Sequence, residues 1–377
     1  MSNQRKNIAV LGSLWGDEGK GHITHHLSPG YDWVVRFGGG ANAGHTIYRN
    51  GKKYVHNLLP SIDFRHEHVR GFLGSGMVLD LEQLLKEVTN AEEDFPGVGS
   101  RLVVDPDAFV VLPEHKEQDK AKNAHIGSTN RGIGPAYADK VMRQGVRVID
   151  LIIKKNFTVD ALKHLGVQFK SSLELQSEFA RSRLLFEGAQ GVLLDLNHGI
   201  YPYVSCGDAT VAGITACGFA SVRLDKVYGV AKCYTTKVGE GPFPTELHGD
   251  EAEALRKRGN EYGATTGRPR RVGWLDLPAL KYACAKGGID TLIVTKFDIL
   301  AGMDEIPVAR AYEQEIKYSK DFFEAKPQYV NVKGWKGVKD DESFQGMIDF
   351  IDFIEEEIHV PVEMISRGTN EEDILDV

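Results

Sequence analysis

Short apolar runs, several of them closing on glycine, recur along this chain and restrict its architecture more than any other feature. They are "NIAVLG", "DWVVRFGGG", "GFLGSGMVLD", "RLVVDPDAFVVL", "RLLFEGAQG", "KVYGVAKCY" and "TLIVTKFD". Each is a strand-length run. Between several of them lie amphipathic stretches such as "LEQLLKEVTNAEED" and "LPALKYACAKGG", with apolar residues three and four apart. Strands that alternate with helices in this way favour a mainly parallel β-sheet flanked by helices, an α/β fold. With no internal repeat and no Pro/Ser-rich linker, the expectation is one large domain over residues 1–377, with a helical insertion near 151–184. The segment "EEEIHVPVEMISRGTN" reads as a final helix, a strand and a glycine turn. In open sheets of this kind ligands bind at the carboxyl ends of the strands, so the glycine-rich ends are where chemistry is sought.

The composition narrows the function classes. A net charge of −8 argues against a nucleic-acid-coating role, which needs a basic surface to neutralise phosphates. Cys206, Cys217, Cys233 and Cys284 form no CxxC pair, and the charged start "MSNQRKN" is not signal-like. Together they suggest reduced thiols of a cytoplasmic protein and no cysteine metal site. No stretch of about 18 apolar residues occurs, so no membrane-spanning segment is expected.

The first strand run leads into "GSLWGDEGKG", residues 12–21. Glycines and a lysine after a buried strand suit a phosphate-binding turn, because bare amides and an ammonium can approach an anion closely. The turn is not GxxxxGK[ST], since Gly12 lies too far from Lys20 and a glycine follows the lysine. Its oddity is the presence of Asp17 and Glu18 inside an anion site. "GGGANAGHT" places Asn42, His45 and Thr46 after another strand, where a histidine can donate a proton to a bound anion. "IGSTNRGIGPAYADK" adds a third polar glycine loop with Ser128, Thr129 and Arg131.

"GATTGRPRR" gathers Thr265, Thr266, Arg268, Arg270 and Arg271. Guanidinium forks match carboxylates and phosphates, so this run suggests an anion clamp. "TKFD" ends a strand run, and its Lys296 and Asp298 resemble a guanine-reading device, the carboxylate accepting from the ring imide and the exocyclic amine.

In order, "WGDEGKG", "NAGHT", "STNRGIGPAYADK", "FEGAQG", "HGIYPYV", "GPFPTEL", "GATTGRPRRVGW" and "TKFD" resemble the adenylosuccinate synthetase family, from about residue 7 to about residue 372. The resemblance implies a P-loop-related fold and a homodimer that joins L-aspartate to the 6-oxo position of IMP, using GTP and magnesium (Mg2+). By that resemblance Asp17 is the catalytic base at ring nitrogen 1 and a magnesium ligand, with the backbone oxygen of Gly44 as a second contact. His45 is the acid at the bridging and γ-phosphate oxygens. Lys20, also catalytic, holds GTP with Gly16, Glu18, Gly19, Gly21, Gly44 and Thr46. Lys296, Asp298, Ser366 and Gly368 surround guanine. Asn42, Thr129, Gln190, Ser205, Gly207, Asp208 and Val238 form the purine monophosphate pocket, with Gln190 also catalytic and Arg143 reaching in from the neighbouring subunit. Thr265, Thr266, Arg268 and Arg270 bind aspartate.

The chain departs from the family pattern in several places. It is shortened between Asp150 and Leu184, carries His22 after "GDEGKG", reads "GGGANAGHT" with Ala41, and has Gly368-Thr369 where glycine-proline is usual. In "YPYVSCGDAT" the family's threonine, two serines and asparagine are replaced by Ser205, Cys206, Gly207 and Asp208. Gly207 makes room and Asp208 offers an acceptor for a 2-amino group, so GMP or dGMP is an alternative acceptor, as in phage relatives that make 2-aminoadenine nucleotides. A phage-encoded protein would act in the host cytoplasm. Retained Asp17 and "TKFD" favour IMP and GTP. A GTP-binding regulatory protein would have no use for the carboxylate clamp, and a pseudoenzyme would not keep Asp17, Lys20, His45, Gln190 and Arg268 together.

Overall fold

The computed structural model describes residues 6–49, 52–122, 127–263, 267 and 269–377. Ten strands form one sheet in the order Ile374–Asp376, Val362–Ser366, Thr291–Thr295, Lys226–Lys232, Ile8–Gly12, Leu184–Gly191, Trp33–Arg36, Arg70–Leu73, Leu102–Val104, Gln168–Phe169. Among the described residues every pairing in this sheet is parallel except that of the last strand, Ile374–Asp376, against Val362–Ser366. The α/β reading and the mainly parallel sheet therefore hold.

Side-chain alternation explains why the apolar runs are unbroken. Ala9 and Leu11 belong to the core on one face of the sheet, Ile8 and Val10 to the core on the other. Leu292 and Val294 are divided from Ile293 in the same way. Both faces are buried, so no polar alternation is left to see. The helices that cover them are capped where the sequence offers a carboxylate. Asp80 accepts from Gln83 N ahead of the helix Leu81–Asp94, and Asp276 accepts from Ala279 N ahead of Leu277–Gly287.

The register places the carboxyl ends of the inner strands along one edge: Gly12 beside Val230, Arg36 beside Glu187, Lys232 beside Thr295, and Val294 beside Ile365. Two antiparallel hairpins were not foreseen. His45–Arg49 pairs with Lys52–His56, so His45 opens a strand instead of sitting in a turn. Glu305–Tyr312 pairs with Pro327–Lys333, away from the main sheet. The stretch after Asp150 carries the end of the helix Val148–Ile153, the helix Phe157–His164, the edge strand Gln168–Phe169 and a short helix Gln176–Phe179. No helix among the described residues is long and apolar enough to cross a membrane.

Candidate active site

The turn between the strand Ile8–Gly12 and the helix Lys20–Leu27 needs backbone conformations that favour glycine. Gly16 and Gly19 have φ of +85° and +100°, and Asp17 between them is also left-handed at +60°. Gly12 is required by space. A Cβ there would lie 2.6 Å from Lys20 Nζ and 2.7 Å from both Gln190 O and Glu18 Oε2. The two acids in the turn have different surroundings. Glu18 is buried, accepts from the amides of Leu14 and Gly16, and pairs with Lys20 Nζ at 2.7 Å. It serves as the turn's own internal anion, holding the amides and the ammonium in place. Asp17 is more exposed, and its Oδ2 lies 2.8 Å from Arg270 Nε. Thr295, at the end of its strand, donates to Glu18 O and ties the turn to the sheet.

His45 packs on the first turn of the following helix. A Cβ on Gly21 would lie 2.6 Å from His45 Cβ, so only glycine lets the helix approach. The imidazole is buried, and its Nδ1 lies 2.5 Å from Glu187 Oε1, with Ser61 donating to the same carboxylate through both its hydroxyl and its amide. Nε2 has no hydrogen-bond partner. Burial pulls the His45 pKa down and Glu187 pulls it back up, the burial winning. Burial would raise Glu187, but His45, Arg36 and the Ser61 hydroxyl outweigh it and hold the carboxyl at about 2. This histidine is therefore oriented by an ionised, fully buried carboxylate.

The turn carrying Asn42 and Gly44 is braced from behind. Asn57 donates to Ala43 O, and Glu87 accepts from the amides of Asn57, Leu58 and Leu59. Asn42 Oδ1 is buried without a partner. Gly39 lies against the Gln190 amide, where a Cβ would come within 3.3 Å of both its polar atoms, and Gly39 N donates to Tyr137 OH. The space freed at Gly207 is taken by the same hydroxyl, 3.0 Å from a Cβ built there, so Gly207 admits Tyr137 and opens no free room. Asp208 Oδ1 accepts from Asn197, and burial, then Asp195, raises the Asp208 carboxyl. Ser205 N is tied to Leu194 O. Gly127 approaches Gly239, bringing the loop of exposed Thr129 to the turn after Val238. Arg143 is exposed at the left-handed C-cap of the helix Ile133–Met142, beside exposed Val141 and Met142.

At the other side of the turn, Lys296 follows its strand with φ +72° and donates to Gly259 O. Asp298 Oδ1 is buried without a partner, and burial raises its carboxyl against the pull of Lys296. Ser366 donates to Gly368 O, and Asp373 closes that loop by accepting from Asn370 N. Thr46 follows His45 in its strand.

Thr265, Thr266 and Arg268 lie outside the described residues. The neighbouring arginines divide the work. Arg270 points to Asp17 and Glu261, whereas Arg271 braces the loop beside it, bonded to Glu246 and to the carbonyls of Gly239 and Gly241. Arg271 is thus a structural brace and not part of a clamp. Glu187, Ser61, Arg36 and Glu261 were not singled out from sequence. A charge inside a continuous apolar strand run, as in "WVVRFGGG" and "LLFEGAQG", was the available signal, because a buried charge needs a partner.

His25, Asp63 and Glu371 offer three ligand atoms close together, but the Arg65 guanidinium already bonds both carboxylates. That cluster is balanced without a metal.

The model of the adenylosuccinate synthetase family matches residues 9–176 and 160–375. The adenylosuccinate synthetase of Petrotoga mobilis is 44% identical over 411 aligned positions, covering 98% of this chain and 97% of the relative. The chain belongs to the adenylosuccinate synthetase family. The enzyme of Thermotoga maritima is also 44% identical, with 98% of this chain and 100% of the relative covered. Fully ligated adenylosuccinate synthetase from Plasmodium falciparum superposes with a TM-score of 0.86 at 31% identity, covering 99% of this chain and 100% of that one. The cyanophage S-2L succinoaminodeoxyadenylate synthetase, bound to dGMP and dATP, shares the fold at a TM-score of 0.73 and 24% identity, covering 99% and 96%. Adenylosuccinate synthetases are carbon–nitrogen ligases of purine biosynthesis, and this chain is a ligase of that family.

Proposed function

We propose that this ligase joins L-aspartate to the 6-oxo position of IMP, with GTP as phosphoryl donor and magnesium as the metal. The observation that carries the reading is the convergence on one turn of Asp17 and Lys20 within it, His45 packed against Gly21, and Arg270 paired to Asp17. In the first step Asp17 takes the proton from ring nitrogen 1, and the purine 6-oxygen attacks the γ-phosphorus of GTP, breaking its bond to the bridging oxygen so that GDP leaves. His45, aimed by Glu187 through Nδ1, presents Nε2 to the bridging and γ-phosphate oxygens where negative charge develops. Lys20 and the amides of Gly19 and Gly21 receive the phosphates. In the second step the aspartate amine attacks carbon 6 and the phosphorylated oxygen leaves as phosphate. Thr265, Thr266, Arg268 and Arg270 hold the aspartate carboxylates, a role that Arg270 can fill by exchanging Asp17 for substrate.

The donors around the turn suit magnesium, a hard cation that takes oxygen ligands and commonly shares them with phosphates. The Asp17 carboxylate and the Gly44 carbonyl, at a backbone position with open space around it, would hold the ion. It would neutralise phosphate charge there. Asp298, whose buried Oδ1 has no partner, suits the imide and amine of guanine, with Lys296, Ser366 and Gly368 around it. Arg143, on an exposed helix end with apolar neighbours, suits a homodimer in which it reaches the partner's purine phosphate.

Asp208 favours a second acceptor, GMP or dGMP. Its backbone carbonyl lies against Gly38, and its half-buried carboxylate, which accepts from Asn197 through Oδ1, would offer an acceptor to a 2-amino group. The test for both is a product assay with GTP, magnesium and aspartate, offering IMP, GMP and dGMP in parallel and weighing the product. A succinylated product from IMP alone supports the first reading, one from GMP or dGMP alone the second. GTP hydrolysis indifferent to aspartate and to every purine monophosphate refutes both.

A further inference from the structure

Glu261 follows the helix Gly249–Gly259, one residue past its left-handed C-cap Asn260, and is completely buried. Its carboxylate accepts three hydrogen bonds. Oε1 takes Lys232 Nζ at 2.7 Å and the Tyr234 hydroxyl at 2.5 Å, and Oε2 takes Arg270 Nη1 at 2.7 Å. Its carbonyl accepts from Arg270 N at 2.9 Å, and Tyr262 and Pro269 bridge beside this pair, so Glu261–Tyr262 and Pro269–Arg270 are held side by side. Arg256 Nε holds Arg270 O from the other side. Arg270 is thus fixed at its amide, its carbonyl and one nitrogen of its guanidinium, with only the Nε side turned to Asp17.

Charge balance shows that Glu261 does more than neutralise a buried lysine. Lys232 alone would satisfy one carboxylate, and Lys232 also has Thr236 Oγ1 as a partner. Burial would raise Glu261, but Lys232, Arg270 and Lys296 hold it at about 2, so it remains an anion while Arg270 changes partners. The geometry points to Glu261 as the positioning residue of the amino-acid site: by gripping Nη1 and the backbone of Arg270, it presents the Nε side of that guanidinium to a substrate carboxylate at the position Asp17 now occupies. This rests on the proposed role of Arg270 in holding aspartate.

The test is steady-state kinetics on the full chain with each substrate varied in turn. Glu261→Gln is expected to raise KM for aspartate by about tenfold to a hundredfold, the loss one charge-assisted hydrogen bond carries, with KM for GTP and for the purine monophosphate little changed. Because Glu261→Gln strands the Lys232 charge and can fail to fold, the double variant Lys232→Met/Glu261→Gln removes the buried pair together. If Glu261 acts through Arg270, the double variant keeps the raised aspartate KM. A double variant with native aspartate KM overturns the inference and makes Glu261 a mere counter-charge. Arg270→Met separates the two levels. If it raises aspartate KM while the double variant does not, only the Glu261 assignment fails; if Arg270→Met leaves aspartate KM unchanged, the clamp itself fails.

Discussion

Asp17 Oδ2 and Arg270 Nε lie 2.8 Å apart, joining the glycine-rich turn to the residue that precedes the strand Arg271–Gly273. The pair puts the group assigned to proton abstraction in direct contact with the group assigned to hold the amino acid. On the proposed roles, an Arg270 engaged by a substrate carboxylate would have less hold on Asp17, and the amino acid and the base would share one guanidinium. Proximity of this kind makes the two half-reactions sensitive to each other without any large movement.

Asp17→Asn is the cleanest probe of the base. Asparagine tolerates the left-handed backbone at this position, and the side chain is not deeply buried, so the fold should survive. The expected result is a fall in kcat of about 10³ or more, in the range a positioned base supplies, with an unchanged thermal melt. Near-normal turnover would mean that another group takes the proton.

Glu187→Gln tests the orientation of His45. Loss of the carboxylate leaves the imidazole to burial alone, which lowers its pKa further. With a protonated His45 required at the phosphates, activity falls as pH rises through that pKa, and the variant should move this falling limb to lower pH. The expected loss in kcat at neutral pH is about 10², comparable to removal of one transition-state donor. A pH–rate profile superimposable on that of the native enzyme would remove Glu187 from the mechanism.

The apolar strand runs made the sheet legible, since both of its faces are buried and continuous hydrophobic sequence is what that requires. The glycine turns were legible for the same reason at their strand ends. Hidden from sequence were the partners that hold them. Arg36, Glu187 and Lys232 each interrupt an apolar strand, and their pairing depends on which strands lie side by side, as Arg36 and Glu187 do. Glu261 sits beside the quoted "GATTG" run, yet only the fold brings it to Lys232 and Tyr234. The split between Arg270 and Arg271 was equally invisible, because adjacent residues on an extended segment point to opposite sides.

Asp298→Asn tests the nucleotide donor. Its buried, unpartnered Oδ1 is suited to a donor-rich base edge, and an amide would meet that edge with one repelling N–H. KM for GTP should rise by about tenfold or more while any use of ATP is little affected. Equal effects on the two nucleotides would discredit the guanine assignment.

Acid should destabilise the fold through buried histidines. Burial, with the charges of His25 and His26 added, lowers His22 from 6.5 to about 4, and burial, opposed by Glu187 and aided by His45, His25 and Arg36, lowers His56 to the same value. The unfolded chain binds protons at these sites below pH 6.5 while the folded chain resists until about 4, so stability falls as pH drops through that window. Each site contributes on the order of 3 kcal/mol to that loss. His56→Gln should flatten the dependence of urea-unfolding free energy on pH between these limits, and an unaltered slope would contradict the assignment.

The central claim is that the purine 6-oxygen is phosphorylated and then expelled. The most direct measurement follows oxygen-18 placed at that position in the acceptor nucleotide during turnover with GTP, magnesium and aspartate. The predicted result is one labelled oxygen in each inorganic phosphate released, and none in GDP or water. Label appearing in water, or retained in the product while GTP is hydrolysed, would contradict it.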